Sequence, residues 1–125
     1  SATARKILKD ILQIFGFTVV EARDGEDGLE KLNDLYEMYG EDVTNQLKII
    51  VTDVEMPQMD GYHFASRVRN DPRFGNEVPI VFNSSISDHF SAMRAEDVNG
   101  DGYVVKFEGT QLYNEIGKAI EKHKK

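Results

Sequence analysis

Three apolar, strand-like runs of this sequence are each followed by a polar side chain. The runs are residues 47–52, 79–82 and 103–105. Asp53 follows the first run, Ser84 lies just after the second, and Lys106 follows the third. Because parallel strands present their carboxyl ends at one edge of a sheet, we expect a carboxylate, a hydroxyl and an ammonium to converge there.

These three groups are suited to phosphoryl transfer. A carboxylate can attack phosphorus and form an acyl phosphate when a metal and a cation neutralise the transferring group. Asp53 would be the nucleophile, Lys106 would attract one phosphoryl oxygen, and Ser84 would donate a hydrogen bond to another. An ordinary Asp–Lys ion pair near a loop explains the same residues, and the pattern alone leaves both interpretations open.

The elements that must position these groups alternate along the chain. Helical spacing of apolar residues predicts helices over 4–15 and 25–39, after Asp60-Gly61, around Phe90, and over the stripe Leu112, Ile116 and Ile120. Thr18-Val19-Val20 predicts one further short strand. This alternation indicates an α/β fold, a mostly parallel sheet with helices on both faces. The 125 residues suffice for one domain, residues 1–125.

Residues 97–108, DVNGDGYVVKFE, suggest a different class of function. Asp97, Asn99, Asp101, Gly102 and Glu108 match the calcium-loop pattern of an EF-hand. Such a loop needs a helix on each side, whereas Val104 and Val105 favour a strand. A calcium-binding module through Asp97 to Glu108 is therefore an alternative to the phosphoryl-transfer interpretation.

Composition excludes several other classes. The net charge of -7 argues against nucleic-acid binding, which needs clustered Lys and Arg. The absence of Cys excludes disulfides and thiolate metal sites. The longest apolar runs are far too short to span a membrane. We expect no membrane insertion and a cytoplasmic location.

The segment KIIVTDVEMPQMDGYHF, residues 48–64, resembles the phosphoacceptor segment of CheY-like response-regulator receiver domains. The likeness lies in the apolar strand, its Asp, a Met-Pro pair and an Asp-Gly helix start. VPIVFNSS then places Ser84 at the family's Ser/Thr position, and GYVVKF places Tyr103 at its switch aromatic and Lys106 at its lysine. The segments EMPQMDGYHF, NDPRF, NSS and KF look most like the receiver of CheV-type chemotaxis coupling proteins.

The resemblance implies a doubly wound, flavodoxin-like sheet of strand order 2-1-3-4-5. It also implies a switch of a bacterial two-component pathway of the chemotaxis type, in which Asp53 accepts a phosphoryl group from a histidine kinase. Mg²⁺ would be bound by the Asp53 carboxylate and the Glu55 backbone carbonyl. Ser84 and Tyr103 would then move and change the face made by the last two helices and the last strand, where signalling partners bind. The chain would be a phosphoacceptor with weak self-dephosphorylation rather than a turnover enzyme.

The sequence departs from the family's pattern at its beginning. SATARKILKDIL matches the segment that comes after the family's first strand and its two metal-binding acidic residues, so we expect this strand and this acidic pair to be missing. The missing strand would lie between the strand near Val19 and the one that ends at Asp53. Its absence favours an alternative, a receiver-like module that acts by protein contact without phosphorylation.

Two further departures lie elsewhere. Lys106 is followed by Phe107 where the family has proline, and a cis bond there would cost about 3–4 kcal/mol, so we expect a trans bond. The stretch from Asn33 to Gln46 is longer than is usual in the family, and we interpret it as a solvated insertion.

Overall fold

A computed structural model describes residues 2–84, 89–105 and 109–124. The helices are α1 (Ala2–Ile14), α2 (Gly25–Tyr39), α3 (Val43–Gln46), α4 (Gly61–Arg69), α5 (His89–Asp97) and α6 (Gly109–Lys122), with a 3₁₀ turn at Gly40–Asp42. The strands are β1 (Ile50–Asp53), β2 (Ile80–Ser84) and β3 (Gly102–Val105). Within these residues, no helix is both long and apolar enough to cross a membrane.

The three strands form one parallel sheet in the order β1-β2-β3. Ile50 pairs with Ile80, and Val81 pairs with Gly102. All five residues of β2 are buried, as expected of a central strand covered on both faces. The α/β fold with a parallel sheet is therefore confirmed.

Helices cover both faces of the sheet because alternate strand residues belong to two separate apolar clusters, one on each face. One cluster contains Ile80 and Phe82 of β2 together with residues of α2, α4 and α5. The other contains Val81 and Val104, packed against α1 and α6. Each strand residue thus has its face fixed by its parity, which decides where the polar residues at the strand ends point.

The predicted strand at residues 18–20 is wrong. These residues belong to no helix or strand, although Phe17 and Val19 pack against the α1/α6 cluster. A strand needs a hydrogen-bonding neighbour, and no described strand lies between residues 18–20 and β1. Residues 18–20 therefore have no neighbouring strand in the described structure with which to pair.

A groove of about 660 Å³ occupies that place. Residues 16–25 form one wall and residues 46–53 the other, with α1 and α2 residues completing it. The edge of β1 that faces away from β2 opens onto the groove, and no described strand pairs with it. This is the position that the sequence analysis assigned to the missing strand.

The stretch from Asn33 to Gln46 is not simply solvated, contrary to our expectation. It continues α2 to Tyr39 and then turns into the short helix α3. Val43 in α3 is only 1% exposed and belongs to the main core cluster. Val43, together with Leu35 and Tyr36 packed against the same cluster, holds this stretch against the domain.

A buried carboxylate ties the amino-terminal end of the sheet to two helices. The Asp101 side chain, 2% exposed, accepts hydrogen bonds from Arg69 of α4 at 3.1 Å and from the Ile80 backbone N–H at 2.9 Å. Lys122 Nζ lies 3.1 Å and His123 Nε2 2.9 Å from its other oxygen. Asp101 therefore joins α4, β2, β3 and the end of α6.

The charge of Asp101 is maintained despite its burial. Burial by itself raises the pKa of this carboxyl, but the hydrogen bonds from Ile80, His123 and Lys122 outweigh it and hold the pKa below the ordinary value of 3.8. A buried carboxylate that is this fully hydrogen-bonded stabilises the fold only while its partners remain.

Replacing Asp101 with Asn should lower the free energy of unfolding by about 3–5 kcal/mol at neutral pH, because the substitution leaves Arg69 buried without its counter-ion. Urea denaturation measures this difference. Asp71→Asn is the matched control, since the Asp71–Arg73 pair is partly exposed and should contribute about 1 kcal/mol or less. Equal losses in the two variants would contradict the role of Asp101.

The same pair of proteins should show how Asp101 responds to acid. A carboxyl whose folded pKa is depressed stabilises the fold above its unfolded pKa, and this contribution is lost as the pH falls through the folded pKa. The stability difference between the wild type and Asp101→Asn should therefore be constant above about pH 5 and shrink below the ordinary value of 3.8. Denaturation curves across this range test it, and a difference that persists unchanged at pH 3 would refute it.

Candidate phosphoacceptor site

Asp53 is the last residue of β1 and is half-buried at the carboxyl edge of the sheet. It pairs in register with Asn83 of β2. The Val54 N–H donates to the Asn83 carbonyl oxygen at 3.1 Å, so strand pairing continues past Asp53. The backbone of Asp53 is thereby fixed on one side by β2.

The start of α4 fixes the backbone of Asp53 from the other side. Asp60 caps this helix by accepting the His63 N–H at 2.8 Å, as expected for an Asp at this position. The Gly61 N–H donates to the Val54 carbonyl at 2.9 Å. A side chain at Gly61 would collide with the carbonyl oxygen of Asp53, so the Asp-Gly pair lets α4 begin directly against the backbone of Asp53.

Ser84 is fully buried at the end of β2, where its hydroxyl donates to Glu55 Oε1 at 3.1 Å. The family resemblance implies a role for Glu55 through its backbone carbonyl only, and this side-chain contact was not predicted from the sequence. Glu55 lies two residues after Asp53, and Ser84 lies one residue after the register partner of Asp53. The strand register is what brings them together, and it cannot be read from either segment alone.

The remaining predicted site residues are Tyr103, which belongs to β3, and Lys106. Tyr103 is half-buried and packs against the α2/α4/α5 cluster, on the face opposite to Val104. Lys106, together with its bond to Phe107, lies outside the described residues, as does Glu108 of the calcium pattern. The structure therefore places Asp53, Glu55 and Ser84 at one edge and puts Tyr103 on the neighbouring strand.

The residues of the calcium pattern that the structure describes make contacts that hold the fold together. Asp101 is the buried carboxylate held by Arg69, Lys122 and His123. Asn99 adopts a left-handed backbone, φ 56°, and its carbonyl accepts hydrogen bonds from Arg69. A carboxylate whose two oxygens are both held by basic side chains cannot also be a calcium ligand, so the structure does not support the EF-hand alternative.

The groups at the carboxyl edge are oxygen donors. They are the Asp53 carboxylate, the backbone carbonyl of Glu55, and the Asn83 side-chain carbonyl, whose oxygen has no hydrogen-bond partner in the described structure. Oxygen ligands of this kind suit Mg²⁺, which retains several waters. Among the described residues, no group of three or more His, Cys, Asp or Glu side chains could hold a metal, so any cation here would depend on carbonyl oxygens and water as well as Asp53.

Comparison with known families identifies the fold and the class of site. Residues 1–117 match the family described as the response regulator receiver domain. The chain belongs to the response regulator receiver domains. As a receiver domain it is a module of two-component, phosphorylation-dependent signalling, and the resemblance noted in the sequence is confirmed.

Several chemotaxis proteins are among the relatives of this receiver domain. The chain is 50% identical over 123 residues to the chemotaxis protein CheV3 of Helicobacter pylori, a match that covers 98% of this chain and 39% of CheV3. It is 32% identical over 107 residues to CheY1 of the same organism, covering 85% of this chain and 78% of CheY1. The chain thus spans about two-fifths of CheV3 but most of CheY1.

Solved structures show the same fold. A response regulator from Chloroflexus aurantiacus matches with a TM-score of 0.78 at 23% identity, covering 95% of this chain and 89% of that one. CheY4 of Vibrio cholerae matches with a TM-score of 0.76 at 24% identity, covering 95% and 91%. These matches confirm the receiver fold for the arrangement described above.

Replacing Gly61 with Ala should lower the free energy of unfolding by about 1–3 kcal/mol, because the new methyl group must displace the backbone of Asp53. Gly117→Ala in α6 is the matched control, since its methyl group would lie no closer than 3.9 Å to Phe15. The control should be neutral or gain up to about 1 kcal/mol from helix propensity. Urea denaturation compares them, and equal stabilities would argue against the close contact at Asp53.

Proposed function

We propose that this receiver domain is a phosphorylation-dependent switch of a chemotaxis pathway in which Asp53 accepts a phosphoryl group from a histidine kinase. The observation that supports it most is the position of Asp53, which ends β1 at the edge of the sheet where Ser84 and Glu55 meet. The similarity to CheV3 across 98% of the chain supports the chemotaxis context.

In the proposed reaction, a carboxylate oxygen of Asp53 attacks the phosphorus of a phosphohistidine. The phosphorus–nitrogen bond breaks, an acyl phosphate forms, and the electron pair and a proton go to the imidazole. The fixed backbone of Asp53 keeps the nucleophile in place, which reduces the entropic part of the barrier. The domain acts here as a phosphoacceptor rather than as a turnover enzyme.

Ser84 and Glu55 would set the response to phosphorylation. The Ser84 hydroxyl, now donated to Glu55, would transfer to a phosphoryl oxygen, since a charged phosphoryl group is the stronger acceptor. Lys106 would bind another oxygen, as the family resemblance implies. Tyr103 would follow Ser84 and alter the surface of α5, β3 and α6, the proposed contact for signalling partners.

We propose Mg²⁺ as the cofactor of this reaction. The Asp53 carboxylate and the Glu55 backbone carbonyl would hold it, and it would neutralise charge on the transferring group. Further acidic residues beside Asp53 would strengthen the site. We further propose that residues 1–125 act as one receiver domain whose open β1 edge accepts an additional strand in the groove.

Incubation with acetyl phosphate and Mg²⁺ should add one phosphoryl group to the wild-type protein, because Asp53 is the only carboxylate proposed as a nucleophile. Intact-mass measurement detects the adduct. Asp53→Asn keeps the shape of the side chain but removes the nucleophile, and should gain nothing. If the wild type gains no mass, the phosphorylation-independent interaction module becomes the better account; if Asp53→Asn gains it, the acceptor is elsewhere.

Replacing Glu55 with Gln should raise the phosphorylated fraction about fivefold at a fixed acetyl phosphate concentration. The substitution weakens the hydrogen bond that holds Ser84 by about 1 kcal/mol and removes a negative charge near the phosphoryl group. Intact-mass measurement during the reaction gives this fraction. Glu121→Gln makes the same charge change on exposed α6 and should have no effect.

The opposite result would be as informative for Glu55. A phosphorylated fraction that stays unchanged or falls in Glu55→Gln would show that the Ser84–Glu55 hydrogen bond does not oppose phosphorylation.

A further inference from the structure

Asn83 has a buried polar atom whose hydrogen-bonding capacity is unused. The residue is 4% exposed, and its side-chain oxygen Oδ1 is the one buried side-chain nitrogen or oxygen in the described structure that has no hydrogen-bond partner. An orphaned buried polar group destabilises the fold. In native proteins such a group calls for an explanation, and an absent ion is one of them.

The orphaned oxygen lies on the same face of the sheet as the Asp53 side chain. Val51 and Val81 both pack against the α1/α6 cluster, and Asp53 and Asn83 each lie two residues further along the same strands. Since side-chain direction repeats every two residues, both point to that face. Asp53 and Asn83 are also register partners, so their side chains are side by side on strands about 4.8 Å apart.

This placement gives a carboxylate and an amide carbonyl a common position at the end of the sheet. Both are hard oxygen ligands of the kind that Mg²⁺ binds, at about 2.0–2.1 Å and in company with water. Ser84, by contrast, points to the opposite face by the same parity and is held by Glu55. Asn83 is thus the neighbour of Asp53 whose orphaned oxygen a cation would satisfy.

We propose that Asn83 Oδ1 is a ligand of the divalent cation bound at Asp53, either directly or through one water. The inference deepens the proposed function, on which it rests for the presence of a cation at Asp53. It explains why a central strand with apolar neighbours contains a carboxamide: the residue contributes to metal affinity at the expense of stability.

Titration calorimetry of the unphosphorylated protein with Mg²⁺, repeated with Mn²⁺ as a probe, tests the assignment. Asn83→Val should weaken the affinity about tenfold or more, while the thermal midpoint stays equal or rises because the orphaned group is gone. Asn83→Asp should retain or strengthen binding, since it keeps an oxygen at the same place and adds a charge. Asp53→Asn should lose binding.

Thr52→Val provides the matched control. Thr52 is a buried polar residue of β1 on the opposite face to Asp53. Its hydroxyl donates to the Asp53 backbone carbonyl at 3.0 Å, and valine keeps its shape. This variant should bind Mg²⁺ with unchanged affinity. A loss equal to that of Asn83→Val would mean that any buried polar deletion near Asp53 weakens the site, and would overturn the specific role of Asn83.

The outcomes separate this inference from the proposed function. Three results would each overturn the assignment of Oδ1 as a ligand. The first is an affinity in Asn83→Val equal to that of the wild type, the second is weaker binding in Asn83→Asp than in Asn83→Val, and the third is no Mg²⁺ binding by the wild type. The second result would indicate an amide that donates to Asp53 instead. Failure of the wild type to gain phosphoryl mass, with Mg²⁺ affinity still dependent on Asn83, would overturn phosphorylation at Asp53 and leave the metal ligand standing.

Discussion

The parallel pairing of β1 with β2 is the constraint on which the site depends. It sets Asp53 beside Asn83, and a shift by one residue would turn every side chain of β1 to the other face. The start of α4 closes the arrangement, because Gly61 allows the helix backbone to lie against the Asp53 carbonyl. The position of the nucleophile is thus determined by contacts of its backbone.

The buried polar groups at the two ends of the sheet differ in how fully they are hydrogen-bonded. At the amino-terminal end, Asp101 is saturated by Arg69, Ile80, Lys122 and His123 and serves the fold. At the carboxyl end, the buried Asn83 oxygen has no partner in the described structure. A buried network with all its hydrogen bonds made stabilises the fold, whereas a buried group with a hydrogen bond unmade costs stability. A bound ligand can supply the bond that such a group lacks. This difference supports the proposed cation site at the carboxyl end.

The open edge of β1 connects the fold to its proposed function. One wall of the groove is β1 itself, and the groove reaches Asp53 at its end. A strand placed there would satisfy the backbone groups of the edge and would bring its carboxyl end beside the nucleophile, as in any parallel sheet. In the proposed function, a strand that completed the sheet would therefore also complete the site.

The sequence by itself determined the α/β class and the apolar strands, because buried parallel strands leave a continuous apolar signal. It also predicted Asp53 and Ser84 as candidate site residues, because polar residues at strand ends stand out against that signal. It wrongly placed residues 18–20 in a sheet. Only the tertiary structure decided that Ser84 contacts Glu55, that Val43 is core, and that Asp101 is a structural carboxylate rather than a calcium ligand. Strand register, the face to which a side chain points and its burial depend on contacts between residues that are distant in sequence. They cannot be predicted from local sequence patterns.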